Sequence, residues 1–229
     1  MNAELVEAGK VKDHVLAVTN HELRTPLTTI LGFADVLLTS SPPLTDDERL
    51  DYIQRIQQGG RRMSRLIDDF LFAATLQSGA LQMSTSPIEL QPVLSVALAQ
   101  AGALDLTVSV ECPGGLQVVT DPDRLAQILT NFLANAVKYG DGPRSVAVTE
   151  KHGFAEIRVT DDGPGVDPSF APSLFEMFSQ ASRGTNRTTR GTGLGLAIAR
   201  DLARALGGDA WFEPNHPRGA VFAVRVPMP

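Results

Sequence analysis

Cysteine is nearly missing from this 229-residue chain, with Cys112 standing alone. No internal disulfide framework and no cysteine metal cluster can therefore form. The single thiol fits a reducing compartment and reads as a small buried or half-buried strand residue. Long apolar runs are missing too. None reaches the roughly 18–20 residues needed to cross a bilayer, and Asn2–Lys12 is polar and mixed in charge, without the apolar region of a signal peptide. This segment is expected to be soluble, with no membrane contact. An excess of basic charge is also lacking. The net charge is −6, which argues against a nucleic-acid partner. What is present is an ordinary globular balance, 43% hydrophobic and 20% charged, enough to form one large or two ordinary domains.

Two grammars divide the chain. Residues 1–78 read as two long helices separated by the breaker-rich turn Thr39–Leu44. Thr45-Asp46-Asp47-Glu48 then matches a capping box, with Thr45 as N-cap and Glu48 at the third helical position. In the second helix Ile53, Ile56, Gly60, Met63, Ile67, Phe70 and Ala74 recur at spacings of three and four, a heptad seam. Gly59-Gly60 interrupts it and weakens the helix by about 1 kcal/mol per glycine relative to alanine. A lone hairpin cannot bury two apolar stripes, so pairing into a four-helix homodimer is expected.

Residues 79–229 mix helices and strands, with the linker placed between Gln77 and Pro87. Helices are predicted over Glu89–Ala103, from Asp121-Pro122 to about Tyr139, and over Leu194–Leu206 ended by Gly207-Gly208. Strands are predicted at Leu106–Val110, Leu116–Val119, Ser145–Thr149, Ala155–Thr160, Ala210–Glu213 and Ala220–Val226. The order suggests an α+β sandwich, helices on one face of a mixed sheet.

The first helix carries Asn20-His21-Glu22-Leu23-Arg24-Thr25-Pro26-Leu27. A helical wheel gathers Leu16, Leu23, Leu27, Ile30, Ala34 and Leu37 into one stripe and puts His21 about 150° from its centre, facing solvent. Thr25 follows one turn on. A neutral imidazole offers a ring-nitrogen lone pair at neutral pH, and Glu22 can accept the other ring proton. Pro26 removes one helical hydrogen bond and crowds the carbonyl of Glu22, building a bend beside the histidine. Further along, Asn131, Asn135 and Lys138 share one face of a helix. Amide oxygens on neighbouring turns suit a hard cation such as Mg²⁺, and a lysine one turn on reaches a phosphate. Asp161-Asp162-Gly163-Pro164-Gly165 is a tight turn with a carboxylate at its start. Leu174–Phe178 reads as a short aromatic helix within a mobile lid that includes Arg183, Arg187 and Arg190, whose guanidinium groups suit phosphates. Gly191-Thr192-Gly193-Leu194-Gly195 runs into a helix whose N-terminal amides favour a phosphate. No preceding strand and no Walker lysine accompany it, so neither a Rossmann nor a P-loop reading fits.

His-Glu-Leu-Arg-Thr-Pro-Leu resembles the H-box of the sensor histidine kinases of two-component signalling. Asn131–Tyr139, Asp161–Gly165, Leu174–Phe178 and Gly191–Gly195 resemble the N, G1, F and G2 boxes of the GHKL ATP-binding fold, in the expected order. The resemblance covers about Val11 to Pro227. It implies an all-α hairpin over 1–78 that is a four-helix bundle as a dimer, then a GHKL (Bergerat-type) sandwich over 79–229. It also implies autophosphorylation of His21 from Mg-ATP and transfer to an aspartate of a response regulator receiver domain. By motif position Asn131 and Asn135 would hold Mg²⁺, Lys138 would meet phosphate, Tyr139 the adenine side and Asp161 the adenine amine. Gly163, Gly165, Phe178, Arg190, Gly191, Thr192, Gly193, Leu194 and Gly195 would shape the ATP pocket. Glu22-Leu23-Arg24-Thr25 fits a Glu-x-x-Thr pattern linked to regulator dephosphorylation, which adds Thr25 to His21 and Glu22 as a catalytic candidate. A cytoplasmic location follows from the same resemblance. Asn20 and Ala220 depart from the residues common in relatives, serine and threonine.

Overall fold

The computed structural model describes residues 23–41, 43–77, 82–103, 106–179 and 193–229. They belong to two compact units, Met1–Ala74 and Thr75–Pro229.

In the first unit, α1 covers residues 23–39 and α2 covers Asp46–Gln77. The capping box forms as predicted. Thr45 N donates to Glu48 Oε2 at 2.9 Å, and Glu48 N donates to Thr45 Oγ1 at 3.3 Å. The two Thr45 donors favour the ionised Glu48 and hold its carboxyl below the usual range. Asp46, Asp47 and Glu48 together place negative charge in the first turn of α2, where the helix dipole favours it. Pro26 is buried within α1, which continues through it.

Gly59 explains how the helices cross. A Cβ there would lie 2.8 Å from Ile30 Cγ1 and 3.5 Å from the Pro26 carbonyl oxygen. The bare backbone of α2 thus fits against α1, while α2 itself runs unbroken through both glycines. Phe33 stacks on Tyr52 with centroids 5.2 Å apart, locking the next turn. The buried positions of α2 are Gly59, Leu66 and Ala73, one residue before the predicted seam positions Gly60, Ile67 and Ala74. Ile53 and Ile67 remain 54% and 44% exposed. The apolar stripe is wider than one neighbouring helix covers, and the glycine, not the bulkiest side chains, faces α1.

The second unit contains β1 (Ser86–Glu89), α3 (Leu90–Gln100), β2 (Ser109–Glu111), β3 (Gln117–Thr120), α4 (Pro122–Tyr139), β4 (Pro143–Lys151), β5 (Phe154–Asp161), α5 (Gly195–Ala205), β6 (Asp209–Pro214) and β7 (Ala220–Pro227). The main sheet has the order β2-β4-β5-β7-β6. Only β2 and β4 are parallel; the other pairs are antiparallel, so the sheet is mixed as expected. A separate ribbon pairs β1 with β3.

Alternation along β5 buries Ala155, Ile157 and Val159 toward the helices. The opposite face carries Arg158, paired with Glu156 at 2.7 Å and with Glu213 of β6 at 2.5 Å. α4 turns Leu125, Ile128, Leu129, Phe132 and Ala136 into the core, as the wheel predicts. Phe132 meets Phe222 of β7 at 5.6 Å between centroids. α5 adds Ala197, Ile198 and Leu202. Each large side chain buried this way contributes about 1.5–3 kcal/mol.

Three sequence expectations need correction. Ser86 and Pro87, placed in the linker, belong to β1; a two-stranded ribbon leaves an edge on which the missing proline N–H costs little. β2 begins at Ser109 instead of Leu106, because Leu106 N bonds to the Ala103 carbonyl at 3.2 Å and Val108 N to the Leu106 carbonyl at 2.9 Å, curling the chain locally. Leu174–Phe178 is not a helix. A 3-10 turn at Ala171–Ser173 precedes it, successive turns follow, and Phe178 takes φ 63. Cys112 is half-buried and sits just past β2, its thiol pushed up by burial and by the Glu89 charge. Among the described residues no helix is long and apolar enough to cross a membrane.

Candidate functional site

Asp121 starts the helix on which the site is built. Its Oδ1 accepts from Asp123 N at 3.1 Å and Arg124 N at 3.2 Å, and Pro122 occupies the first turn. The cap fixes where α4 begins, and so where Asn131, Asn135, Lys138 and Tyr139 fall. Asn131 and Asn135 are half-buried, Lys138 and Tyr139 exposed. Lys138 Nζ rests 4.8 Å from the centroid of the Tyr139 ring.

At its C-terminal end α4 meets the turn after β5. Asp161 is 4% exposed. Its Oδ1 accepts two backbone bonds, from Gly163 N at 3.0 Å and Ala220 N at 3.1 Å. Among the described residues Oδ2 carries no hydrogen bond, so this buried carboxylate keeps an acceptor for a donor from outside the chain. Burial pushes the Asp161 carboxyl up; the Gly163 and Ala220 amides pull it down, and the charges of Asp162 and Asp141 add to the upward shift. A raised carboxyl with a spare acceptor atom marks a recognition site better than a plain Asp-Gly turn does.

Backbone clearance brings Asp161 to α4. A Cβ on Gly140 would strike the Asp161 carboxyl carbon, and one on Gly163 would strike the Gly140 Cα. Gly165, at φ +76, would place a Cβ 3.0 Å from the Gly219 carbonyl oxygen. Gly140 and Gly219 are the site residues that sequence reasoning missed. Gly140 follows a helix and passes for an ordinary C-terminal cap, and Gly219 lies in a hairpin turn. Neither carries a local sign of its distant contact.

In the middle of α4, Asn131 faces the start of α5. A Cβ on Gly195 would lie 3.1 Å from Asn131 Oδ1. The glycine keeps this approach open, and among the described residues no side chain caps α5. The uncapped first-turn amides and the amide oxygen of Asn131 therefore share one corner, an arrangement suited to an anion with its cation. Asn131 stands nine positions before Gly140, roughly 13 Å along the axis. A carboxylate acceptor stands at one end and the start of α5 at the other. Leu194 is buried beside this corner, 1% exposed.

Phe178 and Gly193, far apart in sequence, are joined. Phe178 N donates to the Gly193 carbonyl at 2.9 Å, and a Cβ on Gly193 would fall 2.7 Å from the Phe178 carbonyl carbon. Both adopt left-handed φ, 63 and 71. Phe175 is held against α5 by the Arg200 guanidinium, 5.3 Å from its ring centroid. On α1, Thr25 is exposed. His21, Glu22, Arg190, Gly191, Thr192 and the predicted lid arginines Arg183 and Arg187 lie outside the described residues. Among the described residues no cluster of three His, Cys, Asp or Glu side chains is placed to hold a metal.

Two family models match the chain in tandem. The His Kinase A (phospho-acceptor) domain matches residues 11–79. The histidine kinase-, DNA gyrase B-, and HSP90-like ATPase matches residues 120–229. The sensor protein GacS of Pseudomonas syringae pv. syringae is 33% identical over 238 residues, covering 99% of this chain and 26% of that protein. The signal transduction histidine-protein kinase BarA of Escherichia coli K12 is 32% identical, covering 96% of this chain and 25% of that protein. The chain thus spans about a quarter of the curated relatives it matches. Full-length ShkA, solved in complex with AMPPNP, superposes with a TM-score of 0.64 at 31% identity, over 94% of this chain and 46% of that one. The histidine kinase ThkA, solved with the response regulator protein TrrA, shares the fold at a TM-score of 0.71 and 21% identity, over 100% of this chain and 64% of that one.

Proposed function

This chain belongs to the sensor histidine kinases of two-component signalling, and on that footing we propose that it phosphorylates His21 from ATP and passes the phosphoryl group to an aspartate of a response regulator. The observation that carries the ATP reading is the buried Asp161 carboxylate with one oxygen held by two amides and the other unspent. Such an acceptor selects an exocyclic amine. Asn131 and Asn135 hold Mg²⁺, which when bound neutralises triphosphate charge. Lys138 leaves the Tyr139 ring for a phosphate, and Tyr139 lies on the adenine side. Gly163, Gly165, Gly193 and Gly195 let the segments that shape the ATP pocket pack closely on one another. Phe178, Arg190, Gly191, Thr192 and Leu194 complete the wall.

In the transfer a ring nitrogen of neutral His21 attacks the γ-phosphorus. The new N–P bond replaces the bond to the bridging oxygen, and that electron pair leaves with ADP. Glu22 accepts the hydrogen bond of the other ring nitrogen and stabilises the charged ring. The regulator aspartate then takes the phosphoryl group, returning a neutral imidazole. Thr25, one turn from His21, serves the reverse step by orienting water at the phosphorylated regulator. Thr25→Ala is expected to slow regulator dephosphorylation at least tenfold while leaving autophosphorylation intact; a pulse-chase with phosphorylated regulator measures it. The hairpin pairs with a second copy through the apolar side chains it leaves exposed, Leu27, Leu31, Ile53 and Ile67. The chain works on the cytoplasmic side, where ATP and the regulator are found.

The deciding experiment uses ATP labelled at the γ-phosphate. The native chain should acquire acid-labile, base-stable label, and His21→Gln should acquire none. Label kept by the variant overturns the assignment of His21. Phosphate release without label makes the protein an ATPase, and neither activity makes it a docking platform.

A further inference from the structure

We propose that Asn215, in the turn between β6 and β7, is a positioning residue that sets the aim of the Asp161 carboxylate and so the choice of nucleobase. The inference rests on the reading of Asp161 as the adenine acceptor. Asp161 is fixed through its side chain by two amides, but a side chain aims only as well as its backbone is held. Asn215 Nδ2 donates to the main-chain carbonyl of Asp161 at 2.9 Å and lies 3.5 Å from Asp162 Oδ1. It reaches across 54 residues of sequence to do so.

The rest of the turn is shaped for the same contact. Asn215 Oδ1 accepts from His216 N at 2.9 Å, and Asn215 N donates to the Gly219 carbonyl at 3.1 Å, closing the loop. Gly219, at φ +109, has no room for a Cβ, which would run into the Asp161 carbonyl oxygen. From the other side Arg144 pairs with Asp162 Oδ2 at 2.5 Å. The Asp161-Asp162 backbone is therefore gripped at a carbonyl by Asn215 and at the next carboxylate by Arg144. Arg144 and Asp162 are both well exposed, so water and salt weaken that grip. The bond from Asn215 is half-buried and uncharged at its donor, and it is the firmer of the two.

The two ends of the Asn215 amide separate the roles. Its oxygen shapes the turn; its nitrogen holds Asp161. Asn215→Asp keeps the size and the bond to His216 N but replaces the donor with an acceptor facing a carbonyl. The measurement is the ratio of ATP to ITP affinity in the whole chain, since inosine lacks the exocyclic amine. Asn215→Asp should weaken ATP about 10-fold or more and narrow the ATP to ITP ratio by a similar factor, with labelling of His21 at saturating ATP nearly unchanged. Asn215→Ala, which loses both bonds, should narrow the ratio too and is read in its place if the Asp variant does not fold. A native ratio in the folded variant overturns the inference, because a turn-shaping role alone would leave base choice untouched. Asp161→Asn is measured alongside. If it retains the native ratio, the underlying reading of Asp161 fails; if it loses the ratio while Asn215→Asp keeps it, only the role of Asn215 fails.

Discussion

Asp161 is where chemistry and stability pull apart. Burial is the main reason its carboxyl is raised above the ordinary value of 3.8. A carboxyl raised in the folded state contributes stability that is full below the unfolded pKa and lost as pH rises through the folded one. The ionised form that the proposed contact with an amine requires is therefore held at a cost to the fold. Asp161→Asn keeps an oxygen for the Gly163 and Ala220 amides, so the turn should survive. We expect the variant to bind ATP roughly 10–100-fold more weakly, the range for a hydrogen bond to a charged group. Its melting temperature at pH 7 should not fall. In the native protein, ATP affinity should decline with falling pH from a higher value than an ordinary aspartate gives. Calorimetric titration across pH 4–7 with parallel thermal melts checks both.

Among the elements, α2 makes the sharpest statement, because its two adjacent glycines have opposite surroundings. Gly59 is buried against Ile30 and Pro26, whereas Gly60 has nothing within 4 Å of a built Cβ. Gly59→Val should destabilise the hairpin by about 1–3 kcal/mol through overpacking. Gly32 in α1 is also open, with nothing within 4 Å, and Gly32→Ala should stabilise by about 0.5–1 kcal/mol through helix propensity. Urea unfolding followed by far-ultraviolet circular dichroism resolves the two signs. The capping box and the Asp121 cap were legible because each needs only neighbours within one turn. The missed β1 and the displaced β2 were not, since a three- or four-residue strand exists only through its partner, Gln117–Thr120 in one case and Ser145–Ala147 in the other.

For the whole molecule, the surplus of apolar surface on the hairpin is the strongest constraint. Ile53 at 54% and Ile67 at 44% exposure lie on a helix that already buries Leu66 and Ala73. Exposed isoleucines and leucines on one element are what the proposed pairing of two hairpins would cover. Ile53→Glu with Ile67→Glu should convert the proposed dimer into monomers, read by sedimentation equilibrium at micromolar concentration. Labelling of His21 by the monomer would then report whether the phosphoryl group moves within one chain or between two.

The sequence by itself determined the order of the motifs, the two-part division of fold class and the buried face of α4. Each depends on period, capping or turn chemistry within a few residues. It also pointed to Asp161, Asn131 and Gly195 as candidates. Only the tertiary structure decided what each glycine is for. Gly140 clears the Asp161 carboxyl, Gly195 clears Asn131, and Gly219 clears the Asp161 carbonyl. A missing side chain has no pattern of its own; its meaning is the atom that comes close in its place, and that atom is brought by folding from a distant part of the chain.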